Sequence, residues 1–526
     1  MNYYIGVDVG TTSTKAVLYD EGARVIDHFN QGYELYRDSN GMAEQDPEDI
    51  VTAVERVIHD ATQRIDFAHE RLLAVAFSSA NQSLLLMDRH FTPLTRVITW
   101  ADTRAQDAAR DLKHSPRGKQ LYVRTGTPIH PMSLLTKLLW LKKTSPEILD
   151  ASAHISGIKS YLFYRFFNTF KVDISIASCT GMMNINRGDW DDLAMEVTGV
   201  GVDRLPTIVS GTSQALGLTK EAQEKMGIPA DTPFVYGAFD GALSNLGVGA
   251  LKPDTVAITI GTSAGVRVIT DHPVIDPHER LFCYAVDRGS WVVGGPLNNG
   301  GDVYQWAVRH LVTPSAVANE QTDPYTLANE VIAGEPAGAN GLIFLPFLGG
   351  ERAPLWDSNA RGTFFGLNNL HTRADMLRAV MEGITMNIAT VFAAVCDLVG
   401  QPTSVTATGG FARSAVWRQM LADVLNCPVN IPQSFESGCL GAVTMAMKSR
   451  GAVDSLDVVK DFIGRELLYQ PDPQAVAVYQ QFLPLFQQVE GLLTPAYASI
   501  ARLQRNILIP EKQITRSRCR AVTGLF

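Results

Sequence analysis

Residues 5–18 read IGVDVGTTSTKAVL and residues 256–268 read VAITIGTSAGVRV. Each is an apolar run, a Gly-Thr-(Thr/Ser) tip and a second apolar run, the pattern of a β-hairpin. In the first, Tyr3 to Val9 and Lys15 to Tyr19 are the expected strands. Two such hairpins about 250 residues apart predict duplicated lobes rather than a short-period solenoid. The tips also carry chemistry. Phosphate recognition needs backbone N–H groups unobstructed by side chains, which a glycine turn followed by hydroxyl residues supplies. Gly10-Thr11-Thr12-Ser13 and Gly261-Thr262-Ser263 both qualify. One such tip is ordinarily only a turn, whereas two in matching places favour a phosphate-binding role.

The chain has 526 residues, 46% hydrophobic and 19% charged, with a formal net charge of −9. That length exceeds a single core and suits two or three compact units, with two large lobes the default. The acidic balance provides no general basic field for nucleic acid or an anionic membrane, so a small diffusing substrate is expected. Asp8 falls inside the first apolar run, and no later stretch reads as the ~20 apolar residues of a membrane span, so a cytoplasmic protein is expected. Cys179, Cys283, Cys396, Cys427, Cys439 and Cys519 lie far apart, with neither metal nor disulfide-scaffold spacing. A homodimer is compatible with the sequence and not specified by it.

From Asp46 a helix is well signalled: Asp46 can cap, Pro47 occupies the first helical position, and Ile50, Val54, Val57, Ala61 and Ile65 recur at helical spacing. Leu72 to Phe77 reads as a buried strand ending in the polar cluster Ser78-Ser79-Ala80-Asn81-Gln82, and polar groups leaving a strand end commonly line a cleft. Phe234 to Gly237 is another short strand, leading to Asp240-Gly241, with a lobe boundary expected near Lys252-Pro253. Val405 to Thr408, Gly409-Gly410 and Ser414 to Leu425 read as strand, glycine turn and helix. Arg505 to Phe526 loses helical periodicity and reads as a loose basic tail.

A carboxylate inside an apolar run is costly unless paired, hydrogen-bonded or near a metal. Asp8 therefore reads either as a turn-capping residue or, beside a phosphate turn, as a Mg²⁺ residue. Asp240, after an apolar strand and among small residues, suits a base that deprotonates a hydroxyl for in-line phosphoryl transfer. An ordinary Asp-Gly turn is an equal reading of those residues alone.

Taken together, the two hairpins, Asp240 and the Gly409-Gly410 unit resemble the FGGY family of carbohydrate kinases. Two stretches carry the resemblance most strongly: GTFFGLNNLHTRADMLRAVME, residues 362–382, and PMSLLTKLLWL, residues 131–141, with Lys137 and Trp140 in register. The likeness runs from about residue 3 to about 480. It departs at Leu134, where a small residue or proline is usual. The resemblance implies an α/β protein of two lobes with the sugar kinase, heat-shock chaperone and actin ATPase fold (ribonuclease H-like), each lobe a five-stranded mixed sheet flanked by helices. The implied division is 1–250 for sugar, phosphate and the catalytic Asp, 251–485 for ATP, and 486–526 for a helix end and the tail.

Carried onto this sequence, the family pattern places Gly10, Thr11, Thr12, Ser13 and Lys15 at the nucleotide phosphates from the first lobe. Gly261, Thr262, Gly301, Gln305, Gly409, Gly410 and Ser414 meet ATP from the second. Asp8 becomes the Mg²⁺ residue, with Asp240 both the base and a second carboxylate at the metal. Gln82, Trp100, Asp102, Arg104 and Met132 align with positions at or near the sugar. Asn81-Gln82 replaces a Met-His pair found in many members. GMAEQDP (41–47), GGPLNNGGDVYQW (294–306) and GGERAPLWDSNARG (349–362) are most similar to the gluconate-phosphorylating members. A sugar acid is thereby implied, with Arg104, Lys137 and Arg352 the candidate cations for its carboxylate. A pentulose or other polyol is the alternative, and a non-catalytic nucleotide or sugar sensor a remote one.

Overall fold

The computed structural model describes residues 1–312, 323–432, 437–464 and 466–507. Its organising unit occurs twice. In the first half β1 (Asn2–Val9) pairs antiparallel with β2 (Ser13–Asp20) and parallel with β4 (Arg71–Ser79). With β3 (Val25–Gly32), β5 (Gln214–Ala215) and β6 (Phe234–Phe239) the sheet order is β3-β2-β1-β4-β6-β5.

In the second half β7 (Thr255–Ile260) pairs antiparallel with β8 (Ala264–Thr270) and parallel with β11 (Ser404–Thr408). Outside these lie β9 (Phe282–Asp287), β10 (Ser290–Leu297), β12 (Val429–Pro432) and β13 (Glu466–Tyr469), in the order β9-β10-β8-β7-β11-β12-β13. Apart from β9, the two sheets share strand order and direction. The duplication foreseen from two hairpins therefore extends to whole sheets. The last paired residues, Val9 with Thr14 and Ile260 with Ala264, leave tips of 10–13 and 261–263.

The expectation of five strands per sheet is corrected to six and seven. Each sheet gains a short antiparallel strand outside its last parallel one, β5 beside β6 and β13 beside β12. The second also gains β9, which folds back on β10.

Helix α1 (Pro47–Thr62) begins as expected, with the Asp46 side chain accepting from Glu48 N at 2.9 Å. It stops at Thr62, short of Ile65, which is nevertheless buried. The later helices used below are α2 (Leu134–Thr144), α3 (Asp240–Gly247), α4 (Gly301–Leu311), α5 (Arg373–Val399), α6 (Ala415–Leu425), α7 (Ser437–Ser449) and α8 (Pro473–Ile507). Helix α5 is long and apolar enough to cross a membrane, contrary to the sequence reading, but 83% of its most apolar window is buried inside the fold. It is a core helix. Helix α8 continues to Ile507, past residue 505 where side-chain periodicity lapses, because backbone hydrogen bonding propagates a helix without it. The rest of the tail, with Cys519, lies outside the described residues. The other five cysteines are buried, and none is in a disulfide among the described residues.

Helices α3 and α7 cross between the lobes with almost no side chain between them. A Cβ at Gly247 would sit 1.9 Å from Ser437 O, and one at Gly441 would sit 2.2 Å from Leu243 O. Edge strand β9 joins the lobes a second time. Cys283 N donates to Gly126 O at 2.8 Å, Ala285 N to Ser178 Oγ at 2.9 Å, and Ser210 Oγ to Asp287 at 2.7 Å.

Candidate active site

Strands β1, β4 and β6 are mutually parallel, so their carboxyl ends open on one side, where ligands bind in open α/β sheets. Asp8 stands near the end of β1, opposite Ser78 of β4, whose Oγ donates to Asp8 Oδ1 at 2.6 Å. Asn81 and Gln82 follow β4. Asp240 follows β6 and opens α3, so the Asp-Gly pair is a helix start rather than a turn.

These ends face a cavity of about 190 Å³ between the lobes. The first lobe lines it with Thr11, Gln82, Trp100, Met132 and Asp240, and the second with Ser263, Arg267, Phe282, Tyr284 and Arg352. Gln82 Nε2 donates across the lobes to Tyr284 OH at 2.9 Å, while Gln82 Oε1 is buried without a partner among the described residues. Trp100 Nε1 donates to Thr11 Oγ1 at 2.8 Å, and the Arg352 guanidinium lies 4.9 Å over the Trp100 ring. Phe282 and Tyr284 alternate along β9 and stack at 4.3 Å.

Asp240 is exposed to the cavity by its own surface, but the cavity is sunk between the lobes, so protein lies around the carboxyl group on every side but that one. This enclosure, and secondarily the charge of Asp8, pushes its pKa up to about 6, against the opposing pull of Arg267, the Gly241 N–H and Arg352. Oδ1 accepts from Gly241 N at 2.7 Å, and among the described residues Oδ2 has no protein partner. Arg267 lies against the same glycine: a Cβ at Gly241 would sit 2.9 Å from Arg267 Nε. The one hydrogen bond of its side chain among the described residues is a weak 3.4 Å contact from Nη1 to Thr259 Oγ1. Arg352 is more committed, with Nε donating to Asn298 Oδ1 at 2.7 Å and Nη2 to Leu297 O at 3.0 Å.

The glycine turns reach the rim of this cavity, through Thr11 from the first lobe and Ser263 from the second. Gly10 N donates to Ser13 O at 3.0 Å, three residues on, and Gly261 N to Ser263 O at 2.9 Å, two residues on, so each tip is closed through its glycine N–H. Gly301 N, at the start of α4, donates to Gly261 O at 2.7 Å. Gly409 has φ +108°, and a Cβ there would sit 2.3 Å from Ile260 O, which only glycine allows. Thr12, Thr262, Gln305 and Gly410 are exposed, and Gly10, Thr11, Ser13 and Lys15 half-buried. Ser414 caps α6 at Trp417 N and donates to Asn329 Oδ1 at 2.9 Å.

Asp102 and Arg104 are not brought to the cavity. Arg104 Nε grips both Asp102 oxygens at 3.1 and 2.9 Å, the guanidinium also pairs with Glu44, and it lies 4.5 Å over Trp140. The pair braces the segment that carries Trp100. Lys137 is also behind the wall. Arg267, Phe282 and Tyr284 went unnoticed in the sequence. A lone cation in the apolar strand of the second hairpin was the available signal for Arg267.

The N-terminal domain of the FGGY family of carbohydrate kinases matches residues 3–247, and the family's C-terminal domain matches residues 256–450. This chain belongs to the FGGY family. A gluconokinase of Bacillus subtilis (strain 168) is 42% identical to this FGGY kinase over 513 residues, 96% of this chain and 99% of that protein. A gluconate kinase from Lactobacillus acidophilus has a TM-score of 0.91 at 37% identity, covering 95% of this chain and 99% of that one. A ligand-bound xylulose kinase from the same organism has a TM-score of 0.91 at 37% identity, covering 95% and 100%. The FGGY kinase is accordingly a phosphotransferase that acts on an alcohol group, with the two-lobed fold of its family.

Proposed function

We propose that this FGGY kinase transfers the γ-phosphoryl group of ATP to a hydroxyl of D-gluconate, giving 6-phospho-D-gluconate and ADP. The observation that carries the reading is Asp240: a carboxylate with one oxygen free of protein partners among the described residues, facing a cavity that two arginines line. Asp240 Oδ2 accepts the hydroxyl proton as the oxygen attacks phosphorus in line. Turns 10–13 and 261–263 hold phosphate oxygens, with Lys15, Gly301, Gln305, Gly409, Gly410 and Ser414 around the rest of the nucleotide.

The residues present suit Mg²⁺. Among the described residues no cluster of three or more His, Cys, Asp or Glu could hold a metal, so Asp8 and Asp240 would hold one only together with water and phosphate oxygens, which is the habit of Mg²⁺. When bound, Mg²⁺ supplies charge neutralisation at the phosphates.

Arg267, with most of its donors uncommitted, and Arg352 favour an anionic sugar. The 42% identity to a gluconokinase supports the same choice. The equal structural likeness to a xylulose kinase makes a pentulose the second reading. A coupled assay of ADP release over sugars and sugar acids separates them. Gluconate is expected to give turnover well above blank, and a pentulose little. The reverse result would replace gluconate with the pentulose.

A further inference from the structure

Lys137, in the first turn of α2, is 0% exposed. Burial pushes its pKa down to about 7, with Asp102 opposing. Among the described residues it has no ion pair: the nearby Asp102 is already gripped by Arg104. A buried ammonium without a carboxylate is costly and persists only where its hydrogen bonds are good. Those of Lys137 go to two backbone carbonyls, Gln82 O at 2.6 Å and Met132 O at 2.8 Å.

Both acceptors belong to residues that line the cavity, on segments 50 residues apart in the chain. Gln82 has φ 60°, a left-handed conformation that is strained for a non-glycine residue and needs surroundings to hold it. The strained backbone aims the side chain at Tyr284 of the opposite lobe. One ammonium thus sets the spacing of two wall residues and the direction of one of them.

We propose that Lys137 is a positioning residue for sugar recognition, holding Gln82 and Met132 from behind the wall at the separation the substrate reads. This rests on the cavity being the sugar site. The role differs from the carboxylate contact suggested by sequence, because the ammonium faces carbonyls and not the cavity.

Steady-state kinetics of Lys137→Met on the full chain, with ATP and either gluconate or xylulose, test it. The gluconate KM is expected to rise about tenfold or more, with kcat and the ATP KM within about threefold of wild type, and preference between the two sugars to fall about tenfold. Lys137→Gln, which keeps a donor for one carbonyl, is expected to give a smaller rise in the same direction. An unchanged sugar KM and preference in folded variants overturns the proposal. So does a parallel loss of kcat, ATP KM and melting temperature, or failure of both variants to fold, since each assigns Lys137 to the core instead. If wild type phosphorylates xylulose and not gluconate, the proposed substrate is wrong, and the same KM split read on xylulose still decides the role of Lys137.

Discussion

Asp240 ends one sheet's parallel run, begins a helix and keeps an oxygen free of protein partners among the described residues. Its replacement by Asn preserves shape and removes the base. Turnover is expected to fall by roughly three orders of magnitude while calorimetry still finds ATP bound. Near-normal turnover would remove Asp240 from the role. The carboxyl group must be ionised to take a proton, so kcat/KM is expected to rise as pH increases through about 6 and to level above it. Stability runs the other way. A pKa raised from 3.8 to about 6 means that folding favours the protonated form, so the contribution is full below the ordinary value and is lost as pH rises through about 6. Asp240→Asn is therefore expected to melt higher than wild type at pH 7, with the difference shrinking toward pH 4. At this scale the sequence was legible where chemistry is local. Asp8 in an apolar strand demanded a partner and has Ser78, whereas Arg267 gave no sign of facing Asp240, because nothing in β8 alone says what β6 brings opposite.

Among the elements, α3 and α7 decide how firmly the lobes are joined, and α3 carries Asp240 at its first position. The helices touch backbone to backbone at Gly247 and Gly441. Gly441→Ala puts a methyl where Leu243 O stands 2.2 Å away, so the helices must move apart. A loss of about 1–3 kcal/mol is expected by denaturant titration, with a fall in kcat from displaced Asp240. Unchanged stability and kcat would show that the helices part freely. The element boundaries were largely readable. Asp46 with Pro47 and Ser414 before α6 announce helix starts through capping chemistry that neighbours in sequence supply. Strand β9 was not: its partner β10 follows within a few residues, but its docking on Gly126 and Ser178 depends on residues more than 100 positions away.

Across the whole molecule, the β9 seam and the α3–α7 crossing tie the lobes at two places, with the cavity proposed for the sugar between the lobes and residues of both glycine tips in its lining. Closure on ligands has to turn about these ties. Small-angle scattering is expected to show a smaller radius of gyration with a non-hydrolysable ATP analogue and gluconate than without ligands, and an unchanged radius would mean that the lobes are already closed. Paired hairpins with glycine-hydroxyl tips, strand ends bearing Asp8 and Asp240, and helix caps were all determined by the sequence itself, because periodicity and turn chemistry act over a few residues. Which side chains share the cavity was decided only by tertiary structure. Arg267 and Tyr284 reach it from the second lobe, Arg104 is spent on Asp102 and Glu44, and Lys137 stands behind the wall, because each outcome depends on a partner that a distant segment brings into contact.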